Sequence, residues 1–206
     1  MSKVLYIIAN PNNDSIGVKV GDAFINELKR INEDIKVTTV NLFDTYVPEL
    51  DGDTLAAWGD LAKGKGFPEL TERQQRHLSG SDALLNQFLE HDKYIFVTPL
   101  WNSNVPVRFH SYLDALCVPQ KTFKYTEQGP EGLVKNKKAI HIHASGKLVQ
   151  DGEIVLPLAI VREVMNLIGI SDYHTLLVHG QQQERERADE IREDAIAKAI
   201  RMAKKF

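Results

Sequence analysis

At 206 residues the chain is long enough to bury one α/β core, and nothing in its length calls for a second, so a single domain over residues 1–206 is expected. Apolar residues at 43% and charged residues at 26% exclude a disordered or fibrous chain. A net charge of -3 with interspersed signs leaves no basic stripe, which argues against nucleic acid as a partner.

In chain order, Val4 to Ala9 is an apolar run too short for a signal segment, and it stops at the turn-forming Asn10-Pro11-Asn12-Asn13-Asp14. It reads as a buried strand. Ser15 to Ile31 sets Val18, Val20, Phe24, Ile25 and Leu28 on one side, as an amphipathic helix does, and Ile35 to Asn41 is a second strand. Phe43 to Phe67 is a longer excursion containing Pro48, Asp51, Trp58 and Gly64-Lys65-Gly66, with a short helical pattern over Thr54 to Ala62. It is expected to be an insertion or lid. Leu70 to His91 is helical through Leu78, Leu84, Leu85, Phe88 and Leu89. Tyr94 to Thr98 is a third strand, and Pro106 suits the start of a helix. Ala139 to His143 and Tyr173 to Val178 are strands, and Glu184 to Phe206 is a charged helix with an Ala/Ile stripe and a solvated face. No run nears the roughly 18 apolar residues of a membrane span, and the lone Cys117 has no internal disulfide partner, so no membrane association and a reducing, cytoplasmic compartment are expected.

Alternating strands and helices imply an α/β fold with parallel strands covered on both faces. A dinucleotide fold would carry G-x-G-x-x-G after the first strand, and this chain does not. The remaining choice is a flavodoxin-like three-layer sandwich with a five-stranded parallel sheet in the order 2-1-3-4-5, its ligand lying beyond the carboxyl ends of the strands.

Three loops fall there. Asn10 to Gly17 runs into a helix N-terminus and offers free N–H groups, the helix dipole, the Ser15 hydroxyl and close approach at Gly17, all suited to a phosphate; a plain helix cap by Asp14 or Ser15 is the competing reading. Thr98 to Pro106 is a proline-flanked turn in which Pro99, Trp101 and Asn102 suit the edge of a flat heterocycle, unless Trp101 is simply core. His143-Ala144-Ser145-Gly146-Lys147 follows the fourth strand, with Gly146 allowing a close approach.

Rival chemistries lack their residues. A phosphatase needs a cysteine and an arginine in the first loop, a P-loop needs its upstream glycine and trailing Ser or Thr, and a response regulator needs an Asp where Thr98 and Pro99 stand. His141 and His143 share one face of a strand, and His174 and His179 lie near another. Without a Cys or Asp cluster at ligand spacing they read as structural or solvent-facing, with no metal expected and His143 the one candidate for a place beside a cofactor.

Over nearly its whole length the chain resembles the FMN-dependent NADH-azoreductase family, also described as NADH:quinone oxidoreductases. The resemblance rests on Met1-Ser2-Lys3-Val4-Leu5, on Pro99-Leu100-Trp101-Asn102, and on Phe123 to Leu133, which is similar to the family's Tyr-Thr-Glu-x-Gly-Pro segment. It implies an FMN site with Ser15, Ile16 and Gly17 at the phosphate, Leu100, Trp101, Asn102 and Ser103 at the flavin ring, and Ala144, Ser145, Gly146 and Lys147 at the ring edge. Two positions depart from the family pattern: Ser103 stands where Phe is common and Lys147 where a second glycine is common. A Lys147 ammonium pointing inward would stabilise an anionic reduced ring; one pointing outward would stay hydrated. The resemblance also implies NADH or NADPH as donor, quinone or azo compounds as acceptors, ping-pong kinetics, no catalytic side chain, and a homodimer in which Tyr125 covers the ring. A flavodoxin-type electron carrier or a flavin-binding sensor is the alternative, and the modest net charge disfavours the carrier.

Overall fold

The structure, a computed structural model, describes residues 2–206; Met1 of the N-terminal motif lies outside the described residues. Seven strands and six α-helices follow one another as β1 (Lys3–Ile8), α1 (Ile16–Ile31), β2 (Lys36–Asn41), α2 (Gly52–Ala62), α3 (Glu72–Leu89), β3 (Lys93–Pro99), α4 (Val107–Leu116), β4 (Phe123–Thr126), β5 (Gly129–Gly132), β6 (Lys138–Ser145), α5 (Leu156–Ile168), β7 (Asp172–His179) and α6 (Ala188–Ala203). Five strands form one parallel sheet in the order β2-β1-β3-β6-β7, which is the expected flavodoxin-like order once the hairpin β4–β5 is set aside.

Both faces of the sheet are covered, so its inner strands read as nearly continuous apolar runs. Side chains alternate between the faces. Val4, Tyr6 and Ile8 face the layer of α1 and α6, where they meet Phe24, Leu28, Ala195, Ala199 and Ala203. Leu5, Ile7 and Ala9 face the other layer, with Leu85 and Phe88 of α3, Phe109 and Tyr112 of α4, and Val161 and Met165 of α5. The small residues of α6 let it lie close to α1, and the terminal Phe206 closes that layer edge-on to Phe24 at 5.3 Å.

Boundaries moved where caps set them. The helix expected over Leu70 to His91 begins at Glu72, because Thr71 caps it through the Gln74 amide while the Gln74 side chain accepts from the Thr71 amide. The excursion contains α2, capped by Asp51, and it packs onto α3 through Ala57, Leu70 and Leu78. Helix α5 and the hairpin β4–β5 carry no sequence-based expectation. Val155 provides no side-chain cap for α5, and the run Leu156 to Val161 is apolar without a polar face in its first turns, which hides the start; Pro157 in the first turn and the helical spacing of the buried Pro157, Val161, Met165 and Ile168 are the signals the element does carry.

The hairpin is anchored at its base. The Val134 N–H donates to the Ile168 carbonyl at 2.8 Å and the Leu133 N–H to the Thr122 carbonyl at 2.8 Å. Gly132 lies against the backbone of Gly169, the left-handed residue (φ 104°) that ends α5. A Cβ on Gly132 would run into the Gly169 backbone, which has no flexible end to yield. Gly132→Ala is therefore expected to destabilise the protein by about 1–3 kcal/mol, seen as a lower urea midpoint, whereas Gly59→Ala on α2 meets nothing and carries no positive φ.

Candidate functional site

The carboxyl ends of β1, β3 and β6 come level, and backbone bonds continue past them. The Ala9 N–H donates to Val97 O at 2.9 Å and the Leu100 N–H to Ala144 O at 2.7 Å. Asn10 is buried; its side-chain oxygen accepts from the Asn12 N–H at 2.9 Å, while Asn41 donates to its carbonyl at 3.0 Å. The loop is thereby held on the end of β2 as well as β1. Ser15 is the N-cap of α1, although its hydroxyl accepts from Val18 N–H at a long 3.4 Å. The amides of Ile16 and Gly17 have no partner among the described residues, as the first turn of a helix leaves them. A Cβ on Gly17 would stand 3.2 Å from Ala144 Cβ and 3.3 Å from a Val97 methyl, so glycine lets α1 press its N-terminus onto the ends of β3 and β6.

The second loop is a tight reversal. Trp101 and Asn104 exchange N–H···O bonds of 2.9 Å, and between them Asn102 (φ 49°) and Ser103 (φ 62°) both take the left-handed conformation of a type I′ turn. Asparagine tolerates that conformation; at Ser103, where such turns favour glycine, it costs about 1–2 kcal/mol. The amides of Asn102 and Ser103 have no partner among the described residues. Trp101 is not core: it is 41% exposed, with the edge of Phe43 as its aromatic neighbour at 5.8 Å between ring centres.

In the third loop the Ser145 hydroxyl donates to the Lys147 carbonyl at 3.1 Å and accepts from the Lys147 amide at 3.2 Å. Gly146 lies against the Gln182 side chain, which a Cβ would push aside. The Lys147 ammonium is bound to the Glu153 carboxylate at 2.7 Å, an exposed pair at the rim of the cavity that both residues line. Leu100, Ser103, Ser145 and Lys147 line one cavity of about 170 Å³, together with Val149 and Ile154. The last two belong to the loop before α5, which carries no sequence-based expectation; the apolar Ile154 directly after the turn-forming Asp151, Gly152 and Glu153 is the sequence signal that could have found it, and the structure leaves it 80% exposed. Tyr125 does not line this cavity. It stands on the hairpin, 73% exposed, with Phe123 as its aromatic neighbour.

Directly beneath the second and third loops lies a buried polar chain. Thr98 is paired across the sheet with His143. Its hydroxyl bonds His143 Nδ1 at 2.8 Å and His141 Nε2 at 2.7 Å, and His141 Nδ1 bonds the Tyr173 hydroxyl at 3.0 Å. One hydroxyl proton cannot serve both rings, so Thr98 donates to one histidine and accepts from the other. His143 Nε2 ends the chain, buried and without a partner among the described residues. Burial holds the His143 imidazole down to about 4, and burial together with the neighbouring His143 holds His141 well below the usual histidine range, so both rings are neutral at pH 7. The two outer histidines are accounted for locally: His174 sits on Asp172 at 2.7 Å, and His179 Nδ1 accepts from the Val149 N–H at 3.0 Å.

The family described as flavodoxin-like fold matches residues 2–202. The chain is 43% identical, over the full length of both, to FMN-dependent NADH:quinone oxidoreductase 2 of Bacillus thuringiensis subsp. konkukian, and 40% identical, again over both full lengths, to FMN-dependent NADH:quinone oxidoreductase of Geobacillus kaustophilus. Among solved structures it is similar to an azoreductase from Bacillus anthracis str. Sterne, with a TM-score of 0.90 and 32% identity over all of both chains. An FMN-dependent NADH-azoreductase from Bacillus anthracis str. Ames Ancestor, solved in complex with FMN, matches with a TM-score of 0.86 and 28% identity over 98% of this chain and 100% of that one.

The neutral histidines make stability depend on pH. In the unfolded chain His143 takes up a proton near its ordinary value of about 6.5, but in the folded protein only near 4. Between those values the unfolded state binds more protons. Stability is therefore full above pH 6.5 and falls as the pH drops toward 4, by about 1.4 kcal/mol per unit for His143 alone, with His141 adding to the slope. Urea midpoints at pH 7, 6 and 5 should show the fall, and His143→Gln should make it shallower.

Proposed function

The chain belongs to the flavodoxin-like fold family, and from that premise we propose that it is an FMN-dependent oxidoreductase that passes electrons from NADH to quinones and aromatic azo compounds. The observation that carries the reading is the meeting of three loops at one end of the sheet, with unpartnered amides at both ends of the arrangement. Ile16 and Gly17 offer theirs, with Ser15 beside them, to a phosphate on the positive end of the α1 dipole. Asn102 and Ser103 offer theirs to the polar edge of a ring, and the cavity between Leu100, Ser145 and Val149 gives that ring an apolar wall. The donor set fits FMN: a dianion wants backbone N–H groups and a dipole, and a flat heterocycle wants a rigid turn.

FMN, when bound, supplies two-electron chemistry through its ring, so the chain needs no general acid or base of its own. Its residues bind, orient and exclude water. Trp101 provides an exposed flat face beside the turn, against which a nicotinamide and then an acceptor would each stand in turn. A shared standing place makes the kinetics ping-pong. The exposed apolar side chains of Tyr125, Val107, Ile154 and Leu156 support a homodimer in which a second copy covers them.

Purified protein is expected to release FMN, identified by mass, and to oxidise NADH steadily with menadione or methyl red. A polypeptide without affinity for FMN overturns the proposal. Initial rates at several fixed acceptor concentrations should give parallel double-reciprocal lines; intersecting lines would mean both substrates bind together. Ser15→Ala should weaken FMN binding about tenfold, the worth of one hydrogen bond to a charged group, and should cost about 1 kcal/mol of stability as a lost cap.

A further inference from the structure

Beside the Trp101 turn stands an arginine that the proposed electron transfer does not use. Arg108 is the second residue of α4, directly after the turn. Its guanidinium lies over the ring of Phe43 at 5.5 Å, and Phe43 meets Trp101 edge-on at 5.8 Å, so Trp101, Phe43 and Arg108 form a row leading outward from the turn. One nitrogen, Nη1, donates to the Leu42 carbonyl at 3.3 Å and to the Thr45 carbonyl at 3.5 Å, both long. Nη2 and Nε have no partner among the described residues, and no carboxylate pairs with the group. Asp44 lies one residue from Phe43 in sequence and is still not its partner.

Arg108 is exposed, so its free edge is open to a ligand from solvent. Arg30, Arg73, Arg187 and Arg192 are matched to acids, as is Lys147 at the cavity, whereas Arg76 and Arg162, like Arg108, lie over aromatic rings without a carboxylate partner among the described residues, and of these three only Arg108 stands next to the Trp101 turn. Arg108 is instead fixed by two carbonyls and an aromatic face while its bidentate edge stays open, the geometry that suits a carboxylate, sulfonate or phosphate. The positive end of α4, where Pro106 gives no side-chain cap, adds to the same sign of potential.

We propose that Arg108 is a specificity-determining anion site at the mouth of the ring-binding turn, holding the anionic group of a substrate whose flat ring stands against Trp101. The inference rests on the functional reading above. Two substrates carry that chemistry: an azo acceptor bearing a carboxylate or sulfonate, and the dinucleotide donor with its phosphates. A quinone such as menadione carries no anion and is the neutral reference.

The experiment is steady-state kinetics of the FMN-loaded enzyme and its Arg108→Gln and Arg108→Lys variants, with NADH, methyl red and menadione each varied against a saturating co-substrate. Removing an interaction that the ground and transition states share raises KM and leaves kcat alone. KM is expected to rise about tenfold in Arg108→Gln for methyl red, for NADH or for both, which identifies the source of the anion. For menadione it should move less than twofold, and Arg108→Lys should recover part of the loss. In the unaltered enzyme the affected KM should climb with ionic strength, a dependence that Arg108→Gln should flatten. If no anionic substrate's KM moves, or if menadione's rises in step with the others, the proposal is overturned. An unaltered protein that fails to oxidise NADH with menadione overturns the functional reading instead; Arg108 is then judged by absorbance titration of methyl red against the same two variants, where equal affinity in all three overturns it.

Discussion

The arrangement depends on how closely the N-terminus of α1 sits on the ends of β3 and β6. Gly17 makes that approach, within a few tenths of an ångström of what a side chain would forbid, against Ala144 and Val97. It joins the loop after β1 to the loops after β3 and β6, and the bonds from Ala9 to Val97 and from Leu100 to Ala144 fix their heights relative to one another. Register enforces it. A slip of one residue between β3 and β6 would turn Thr98 and His143 to opposite faces and separate the turn at Trp101 from the loop at Ser145.

Under these loops the sheet carries a polar chain in place of apolar side chains. Thr98, His141, His143 and Tyr173 lie among Phe96, Phe109 and Val105, where an unpaired polar group costs several kcal/mol. Mutual bonding satisfies every ring nitrogen of the chain except His143 Nε2. Because both imidazoles stay neutral, the floor of the site carries no charge, and the electrostatics of the rim belong to backbone amides and to a few surface cations. Lys147 is quenched by Glu153, which leaves its ammonium little field to exert on anything in the cavity. Arg108 has no such partner among the described residues.

Much of the fold is legible because its strands are strongly apolar and its longer helices are amphipathic. Each of the five sheet strands lies within two residues of its expected ends: burial on both faces writes β1, β3 and β6 as runs that need no context, while the edge strands β2 and β7 are marked by their β-branched and aromatic residues. Helix α5 is the counterexample. Leu156 to Val161 is as apolar as a strand, and its helical spacing emerges only over the whole element, where Pro157, Val161, Met165 and Ile168 share the buried face. The hairpin fails to announce itself for the opposite reason: Gly129, Pro130 and Gly132 are poor strand formers, and they pair because Gly132 fits against the distant Gly169.

By itself the sequence determined the alternation of strands and helices, the order of the sheet once a dinucleotide turn was excluded, and the three loops that end β1, β3 and β6, because all of these follow from local patterns of burial and turn chemistry. Only the tertiary structure decided where the side chains on those loops go. It turned Lys147 onto Glu153, exposed Trp101 beside Phe43, buried His141 and His143 on Thr98, and left Tyr125 exposed on the hairpin. A charge, a ring or an imidazole takes its direction from partners distant in sequence, and no period in the chain encodes those partners.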